Sequence, residues 1–385
     1  MPGTIAIVNN HAETFGIAAS GAIATHVWET WRASPAGARP HVYTRLADGE
    51  PYDARPLFAL PMPHEARHEL TMRARRRLAR RMGWSTWSQR AYAGELQTRL
   101  DADIDPSATM IILHNDPEIA LRVASRYPRA DVRHLFHNLL ELAPATLAAL
   151  RRERVRLFAV SDYVARWTEQ AVGLGDGAIS TVYNGVDTTA FSPRPPLTTT
   201  KRFTVGFLGR PGIEKAPDVL LKAVARMPSA RRVQVLLAGA NYLTHHVIDD
   251  YQRQLDDIGK QIEARGGSFT RIGHLTRAAV PDFLRTLDAL VVPSRWEEPC
   301  ALVLFEAMAT GLPIVATRTG GTPEVVGDAA VLFERDDVQG LAQLLEGLLN
   351  GAAQREHLSV AARARAECFP WAATWAGLTS EPRTA

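Results

Sequence analysis

The feature that most constrains the fold is an alternation of short β-rich runs with longer amphipathic stretches, and it occurs twice along the chain. The first series comprises TIAIV at 4–8, HVYT at 41–44, MIIL at 110–113 and VRLFAV at 155–160. The second comprises FTVGFLG at 203–209, VQVLLAG at 233–239, ALVVPS at 289–294 and PIVAT at 313–317. Strands that alternate with helices form parallel sheets. The sequence therefore predicts an α/β fold with two doubly wound sheets.

The two series are separated by the segment DTTAFSPRPPLTTTKR at 187–202. Its prolines cannot donate to a strand ladder, so the segment is predicted to be an irregular linker. The length of 385 residues fits two domains of about 150 residues or more each. We predict an N-terminal domain over 1–190, a C-terminal domain over 191–369, and a short amphipathic helix with a tail over 370–385.

Composition excludes several classes of protein. Hydrophobic residues make up 46% and charged residues 22%, which is typical of a folded globular chain. The formal net charge of +3 requires neither nucleic acid nor an anionic membrane as a partner. Two cysteines without metal-ligand spacing favour a reducing compartment. With no signal-peptide pattern and no apolar run of about 18 residues, we expect a cytoplasmic protein.

Ligands of parallel sheets bind beyond the carboxyl ends of the strands, where the loops converge. The strand at 203–208 is followed by Gly209, Arg210 and Lys215, and a helix is predicted to begin near Pro217. A guanidinium, an ammonium and the start of a helix together suit a diphosphate. Lysine is rare in this chain, which makes Lys215 more informative, although a solvated turn with exposed cations has the same pattern.

A nicotinamide dinucleotide site is the obvious rival in a fold of this class. The glycines here are Gly206, Gly209 and Gly212, and their spacing is GxxGxxG. This spacing lacks the GxG pair that forms the tight turn under a pyrophosphate. The pattern therefore argues against a dinucleotide cofactor.

The segment PSRWEEPCALVLFEAMATGLPIVATRTGGTPEVV at 293–326 contains two carboxylates eight positions apart, Glu298 and Glu306. Glu306 lies in a helix that is apolar on nearly every side, so its carboxylate is predicted to be buried and to need a partner. The N–H groups of 300–303, at the start of this helix, form an anion site between the two acids. Hydroxyls at both ends and a phosphate between them describe a nucleotide sugar. A surface acid at 298 and a buried salt bridge at 306 are the alternatives.

This segment is similar to the Glu-x7-Glu motif of retaining family-4 glycosyltransferases of GT-B fold. The segments GRPGIEKAPDVLLKA, RIGHLTRAAVPDFLRTLDALVVPS and GLPIVATRTGGTPEVV resemble its neighbouring stretches, as do VSDYV at 160–164 and VYNGVDTTAFSP at 182–193. The likeness is close over about 160–335 and loose in the N-terminal half. It implies two Rossmann-like domains facing a cleft, with the helix near Trp371 and Trp375 packed on the first domain.

The resemblance also implies roles for individual residues. Glu298 would hold the hydroxyls of the donor sugar, and Glu306 those of the ribose. Arg210 and Lys215 would bind the diphosphate, while His137, in HLFHNLLE, would contact the transferred sugar. The predicted catalytic residues are therefore His137, Glu298, Arg210 and Lys215. The predicted substrate-binding residues are Gly21, Gly209, Arg210, Lys215, His274, Leu275, Glu298, Cys300, Ala301, Leu302, Val303 and Glu306, with the backbone at 274–275 meeting the base.

The chain departs from the family pattern in two places. Pro299, Cys300 and Ala301 stand where many members have Gly-Phe-Gly, which predicts a tighter pocket for the donor sugar. The loop FGIAASGAIATHV has the single Gly21 where the family usually has a glycine pair. The identity of the sugar and the approach of the acceptor are therefore left open.

Two further segments bear on partners. Seven arginines accompany Trp84 and Trp87 in a predicted helix over 66–87, which suits an anionic membrane or a phosphorylated acceptor, or a solvated helix face. The run DADID at 101–105 has the DxD spacing of metal-dependent glycosyltransferases and is predicted to be a solvated loop. We expect no metal and no cofactor.

The expected activity is transfer of a sugar, with retention, from a UDP- or GDP-linked donor to a hydroxyl of a glycan, a lipid or a natural product. A sugar-nucleotide epimerase or a glycoside phosphorylase on the same fold is one alternative. The other is a non-catalytic protein that binds at the membrane surface through 66–87.

Overall fold

The computed structural model describes residues 4–17, 21–46, 50–61, 87–105, 108–171, 173–193, 202–239 and 250–381. The chain divides into two compact units. One comprises Met1–Asn184 and Trp371–Ala385, and the other comprises Gly185–Pro370. Each unit contains a parallel sheet whose strands alternate with helices along the chain, so the predicted α/β class is confirmed.

The first unit is built on strands that run in parallel. They are β1 (Thr4–Val8), β2 (Thr14–Phe15), β3 (His41–Leu46), β4 (Leu57–Ala59), β5 (Thr109–His114), β6 (Asp131–Phe136), β7 (Arg156–Ala159) and β8 (Ser180–Thr181). The helices of this unit before the linker are α1 (Ala22–Arg32), α2 (Trp87–Asp103), α3 (Pro117–Arg126), α4 (Pro144–Arg152) and α5 (Asp162–Ala171).

The order of strands in this sheet is β2-β3-β1-β5-β6-β7-β8, with β4 also paired to β3. The strand order therefore reverses at β1, between β3 and β5. Strand β5 is buried at every position, because it lies between β1 and β6. The loops after β1 and β5 thus leave the sheet side by side at its topological switch point.

The second unit contains β9 (Phe203–Leu208), β10 (Val233–Ala238), β11 (Ser268–Gly273), β12 (Ala289–Val292), β13 (Ile314–Thr317) and β14 (Val331–Phe333). Its helices are α6 (Pro217–Arg226), α7 (Asp250–Ala264), α8 (Val280–Arg285), α9 (Leu302–Ala309), α10 (Thr322–Val326), α11 (Val338–Asn350) and α12 (Ala352–Ala366). The last helix of the chain, α13 (Trp371–Thr379), belongs to the first unit.

The sheet of the second unit has the order β11-β10-β9-β12-β13-β14, and all of its pairings are parallel. Counted from β9, this is the order 3-2-1-4-5-6 of a Rossmann sheet, with its switch point between β9 and β12. The central strands β12 and β13 are buried throughout, which explains why their sequences are continuous apolar runs. The core of this unit packs helices α6, α7 and α11 against the sheet.

Helix α13 is held to the first unit by a buried arginine. The side chain of Arg133, on β6, is fully buried, and it donates hydrogen bonds to the carbonyl oxygens of Leu378 and Ser380. The same guanidinium pairs with Asp131 at 2.7 Å. Among the described residues, no helix is long and apolar enough to cross a membrane.

We predict that Arg133→Met lowers the free energy of unfolding of the first unit by about 3 kcal/mol, because it leaves Asp131 and two carbonyl oxygens without this donor. Hydrogen exchange measured by mass spectrometry should accelerate most in 371–380. Arg55→Met serves as the control, since that arginine is 84% exposed and pairs with an exposed acid. Equal exchange of 371–380 in both variants would contradict the anchoring role.

Candidate functional site

Two loops of the second unit leave neighbouring strands at the switch point of its sheet. The first follows β9 and contains Gly209, Arg210 and Lys215; the second follows β12 and contains Glu298. Because β9 and β12 are adjacent and parallel, their carboxyl ends meet at one edge. The fold therefore places the two most informative sequence segments side by side.

Lys215 and Glu298 form an ion pair at this edge. The Lys215 Nζ lies 2.6 Å from Oε1 and 2.8 Å from Oε2 of Glu298. The carboxylate is almost completely buried, whereas the lysine side chain is 26% exposed. The hydroxyl of Ser294 also donates to Oε1. An ammonium has three donors, so one N–H of Lys215 is left over after the carboxylate has taken two.

A pair of glycines fixes the backbone of Glu298. The N–H of Gly321 donates to the Glu298 carbonyl oxygen at 2.7 Å. Gly320 has a φ of +54°, and a Cβ at this position would come within 2.3 Å of the same carbonyl oxygen. Only glycine combines this backbone conformation with this close approach. The glycines of TRTGGTPEVV therefore hold the backbone of Glu298 in place.

Glu306 lies inside helix α9 and is 5% exposed. Its Oε1 is paired with the guanidinium of Arg277, which also lies over the ring of Phe191 at 5.0 Å. A buried salt bridge, which the sequence analysis gave as the alternative for Glu306, is therefore present. A ligand hydroxyl at this carboxylate has to share it with Arg277.

Helix α9 begins at Leu302 after Ala301, and no side chain caps it. Leu302 and Val303 are half-buried, and the neighbouring Cys300 is buried. The uncapped N–H groups and the helix dipole favour an anion at this end. This end of α9 follows the loop that carries Glu298, as the sequence predicts.

The remaining predicted residues of this unit lie around the same edge. Arg210 is exposed, and among the described residues its side chain has no hydrogen-bond or ion-pair partner. Gly209 and Gly239 approach closely, since a Cβ on Gly239 would lie 1.8 Å from the Gly209 carbonyl oxygen. His274 is exposed and Leu275 is half-buried, directly after β11.

Sequence reasoning missed a charged network behind the Lys215 loop. Asp218, 2% exposed in the first turn of α6, accepts hydrogen bonds from Arg295 at 2.9 Å, Lys222 at 2.8 Å and Tyr251 at 2.5 Å. The N–H groups of Arg295 and Trp296 donate to the Glu214 carbonyl oxygen. The network therefore ties the loop after β12 to the loop after β9. In the sequence, this network is indicated by the carboxylate that directly follows Pro217 at the start of the helix.

Burial alone would raise the pKa of Asp218, but the hydrogen bonds from Arg295, Lys222 and Tyr251 outweigh it. The pKa of this carboxyl is held far below its ordinary value. A depressed pKa in the folded state stabilises the fold above the unfolded-state pKa of about 4, and this contribution is lost as the pH falls.

The predicted residues of the first unit lie at the ends of its own strands and helices. His137 follows β6, and its backbone N–H donates to Asn115 Oδ1 at 3.0 Å. Burial, with smaller contributions from His26 and His114, lowers the pKa of His137 well below its ordinary value, so its imidazole is neutral. Gly21 precedes α1, where a Cβ would come within 2.4 Å of the Glu13 carboxylate.

Glu13 itself receives the N–H of Ala24 at 2.9 Å, so a carboxylate of the chain occupies the start of α1. The structure thus brings together the predicted residues of the second unit, while Gly21 and His137 belong to the first unit.

The sequence analysis also made predictions for the segments 66–87 and 101–105. Within the predicted arginine-rich helix at 66–87, residues 66–86 lie outside the described part of the chain. The DxD residues Asp101 and Asp103 lie in the last turn of helix α2, so the predicted loop is wrong there. Asp101 accepts a hydrogen bond from Tyr127 Oη at 2.8 Å, which favours continuation of the helix.

Comparison with known proteins gives matches over most of the second unit. Residues 190–365 match the family described as Glycosyl transferases group 1. Spore coat protein SA of Bacillus subtilis is 26% identical over 56% of this chain and 61% of its own length. The D-inositol 3-phosphate glycosyltransferase of Streptosporangium roseum is 31% identical over 66% of this chain and 62% of its own.

Among solved structures, Anabaena HepE in complex with UDP superimposes with a TM-score of 0.68, at 19% identity over 96% of this chain and 97% of its own. The likeness confirms the predicted GT-B fold class. The chain spans about half to three fifths of the length of the first curated relatives that it matches.

We predict that the free energy of unfolding of Asp218→Asn decreases less between about pH 5 and pH 3 than that of the wild type, because the variant lacks the carboxyl whose pKa is depressed. Urea unfolding at a series of pH values measures this. Asp282→Asn is the control, since Asp282 is 84% exposed. The same acid-side slope in wild type and Asp218→Asn would show that the network contributes nothing to the pH dependence.

Proposed function

We propose that the protein transfers a sugar from a nucleoside diphosphate sugar to a hydroxyl acceptor, with retention of configuration, as the match of residues 190–365 to the group 1 glycosyltransferase family supports. One observation carries the proposal. At the switch point of a Rossmann sheet, a buried carboxylate and a lysine with a spare donor lie beside an uncapped helix start. This edge offers acceptors for sugar hydroxyls and donors for phosphate oxygens.

The phosphates of the donor bind to the cationic groups of this edge. Lys215 donates its third N–H to a phosphate oxygen while it keeps its bonds to Glu298. Arg210 has all its donors available among the described residues, and its planar fork suits a phosphate. The N–H groups at the start of α9 add the positive end of the helix dipole.

Glu298 accepts hydrogen bonds from hydroxyls of the transferred sugar. A buried carboxylate is a strong acceptor. Ser294 and Lys215 already donate to this carboxylate, and Gly321 donates to the backbone carbonyl of Glu298. We also assign His137, which lies in the first unit, a role in the transfer of the sugar. Pro299, Cys300 and Ala301 follow Glu298 directly and narrow the space for the sugar.

Glu306 binds the ribose hydroxyls, and the ribose shares its carboxylate with Arg277. The pair keeps the buried charge compensated before the donor binds, since an isolated carboxylate in this position would be costly. The backbone at His274 and Leu275 meets the base. Support for a uridine donor comes from HepE, whose structures contain UDP and UDP-glucose.

In the transfer step, the bond between the anomeric carbon and the diphosphate oxygen breaks and a bond to the acceptor oxygen forms on the same face. The electron pair leaves with the nucleoside diphosphate, whose growing negative charge is stabilised by Lys215 and Arg210. The proton of the acceptor hydroxyl passes to the departing phosphate oxygen. Neither a cofactor nor a metal is needed for this balance.

The direct test incubates the protein with UDP- and GDP-linked sugars and a panel of acceptors that includes inositol phosphates, glycans and lipids. The inositol phosphates are included because several relatives are named for that substrate. The anomeric configuration of the product is read by NMR. Conversion of the nucleotide sugar into another product without an acceptor indicates an epimerase. Release of a sugar from a glycoside by free phosphate indicates a phosphorylase.

We predict that Lys215→Ala lowers kcat/KM by about 10²–10³-fold, because the leaving group loses a positioned cation. The same change leaves Glu298 buried and unpaired, which costs stability on the order of 3 kcal/mol. Binding of UDP, measured by calorimetry in Glu298→Gln and in Glu298→Gln/Lys215→Ala, separates the two effects. We expect the double variant to bind UDP at least tenfold more weakly than Glu298→Gln.

Lys260→Ala is the matched control, since Lys260 is an exposed lysine that pairs with Asp257 on the surface. It should leave both turnover and UDP binding unchanged. Equal UDP affinity in Glu298→Gln and the double variant would remove Lys215 from the phosphate site.

We predict that Glu306→Gln weakens binding of UDP by about 10–100-fold, because an amide accepts ribose hydroxyls less strongly than a carboxylate does. Calorimetry with UDP and with 2′,3′-dideoxy-UDP provides the readout. Wild type should discriminate between the two ligands, and Glu306→Gln should lose most of that discrimination. The exposed Glu334 provides the control variant Glu334→Gln. Discrimination that survives in Glu306→Gln would place the ribose elsewhere.

A further inference from the structure

Three histidines converge inside the first unit. His26 lies on α1, His114 is the last residue of β5, and His137 follows β6. One ring nitrogen from each residue lies within 4.8 Å of the other two, and all three side chains are buried. We propose that His26, His114 and His137 form a binding site for a divalent transition metal ion such as zinc.

The hydrogen bonds of His26 orient one ring nitrogen for this role. Its Nδ1 lies 2.8 Å from Asn184 Oδ1, and an amide oxygen can only accept, so Nδ1 carries the proton. The Nε2 atom therefore has a free lone pair, and it is buried without a hydrogen-bond partner among the described residues. Histidine ligands of metals have this arrangement, with the second nitrogen donating to an oxygen of the protein.

The other two rings face each other. His114 Nδ1 lies 3.0 Å from His137 Nε2, and His114 Nε2 is buried without a partner among the described residues. Nitrogens that bind one zinc ion at about 2.0–2.1 Å lie roughly 3.3 Å apart. The His114–His137 pair is therefore already close to the separation that a shared ion requires.

The charge of the three rings agrees with this geometry. Burial lowers the pKa of His26 to about 4, and burial with neighbouring histidines lowers the pKa of His114 and His137 well below its usual value. Neutral imidazole is the form that binds a metal. Three nitrogen donors without a carboxylate suit zinc, nickel or copper, whereas magnesium and calcium prefer oxygen.

Occupation of this site would also affect transfer. The proposed function gives His137 a role in transfer, and an ion would occupy its ring, so zinc should inhibit the enzyme; this consequence rests on the proposed function, whereas metal binding itself does not. The transfer step uses no metal, so a chelator should relieve the inhibition and leave the basal rate unchanged.

The test uses the full chain, purified without a histidine tag and stripped of metal with EDTA. Calorimetry with zinc chloride should give one ion per chain. Cobalt chloride should give the intense visible absorption of a four-coordinate ion with nitrogen ligands. If the wild-type protein gives just the weak spectrum of hydrated cobalt, or if zinc binding does not saturate, the proposal is overturned.

Variants locate the ion. His26→Ala should abolish the cobalt band, and Asn184→Leu should weaken zinc binding about tenfold because the oriented tautomer of His26 is lost. His357→Ala removes an exposed histidine on α12 and should change neither readout. Circular dichroism confirms that each variant is folded. Undiminished zinc binding in folded His26→Ala and Asn184→Leu would place the ion elsewhere and overturn the proposal.

Inhibition by zinc is measured separately, once transfer has been established. The zinc concentration that halves turnover should rise about tenfold in Asn184→Leu, in parallel with the weaker binding. Binding without inhibition would retain the metal site but remove His137 from the transfer step. Failure of transfer altogether would leave the binding measurements intact, so the two proposals fail independently.

Discussion

The second unit depends on the requirement that a buried carboxylate must have a partner. Glu298 is 2% exposed, and its charge is compensated by Lys215, which lies 83 positions earlier in the chain. The contact exists only because β9 and β12 are neighbours in the sheet. A Rossmann order of strands thus turns two distant loops into one site, and the ion pair keeps the loops together before any ligand binds.

Five cations near this edge of the second unit fall into two groups, which differ in their contacts with acids of the chain. Arg295, Lys222 and Arg277 are committed to Asp218 and Glu306, whereas Lys215 retains a donor and Arg210 is exposed. Committed cations hold the loops, and the others are available to a ligand. A phosphate therefore needs to displace none of the ion pairs that fix the loops, which makes the edge preorganised for an anion.

The central strands could be predicted from the sequence because each is a buried apolar run of four to six residues with helices around it. Strands as short as β2 and β8 carry no pattern of their own. The helix over Asp101 and Asp103 was missed because aspartates favour loops, and the contact of Asp101 with Tyr127 is visible only after folding. Glu306 was expected to be buried, but its partner Arg277 lies on another element.

The buried acids of the second unit and the buried histidines of the first unit are accommodated by different means. In the second unit, buried acids meet cations, so the charges cancel within hydrogen-bond distance. In the first unit, burial lowers the pKa of His26, His114 and His137, so their rings are neutral. Nε2 of His26 and Nε2 of His114 have no hydrogen-bond partner among the described residues. Neutral rings with free lone pairs still need a donor or an ion, since unpartnered buried nitrogens are costly. An ion bound among the three rings would take up the lone pair of His26 Nε2 and so remove part of this cost.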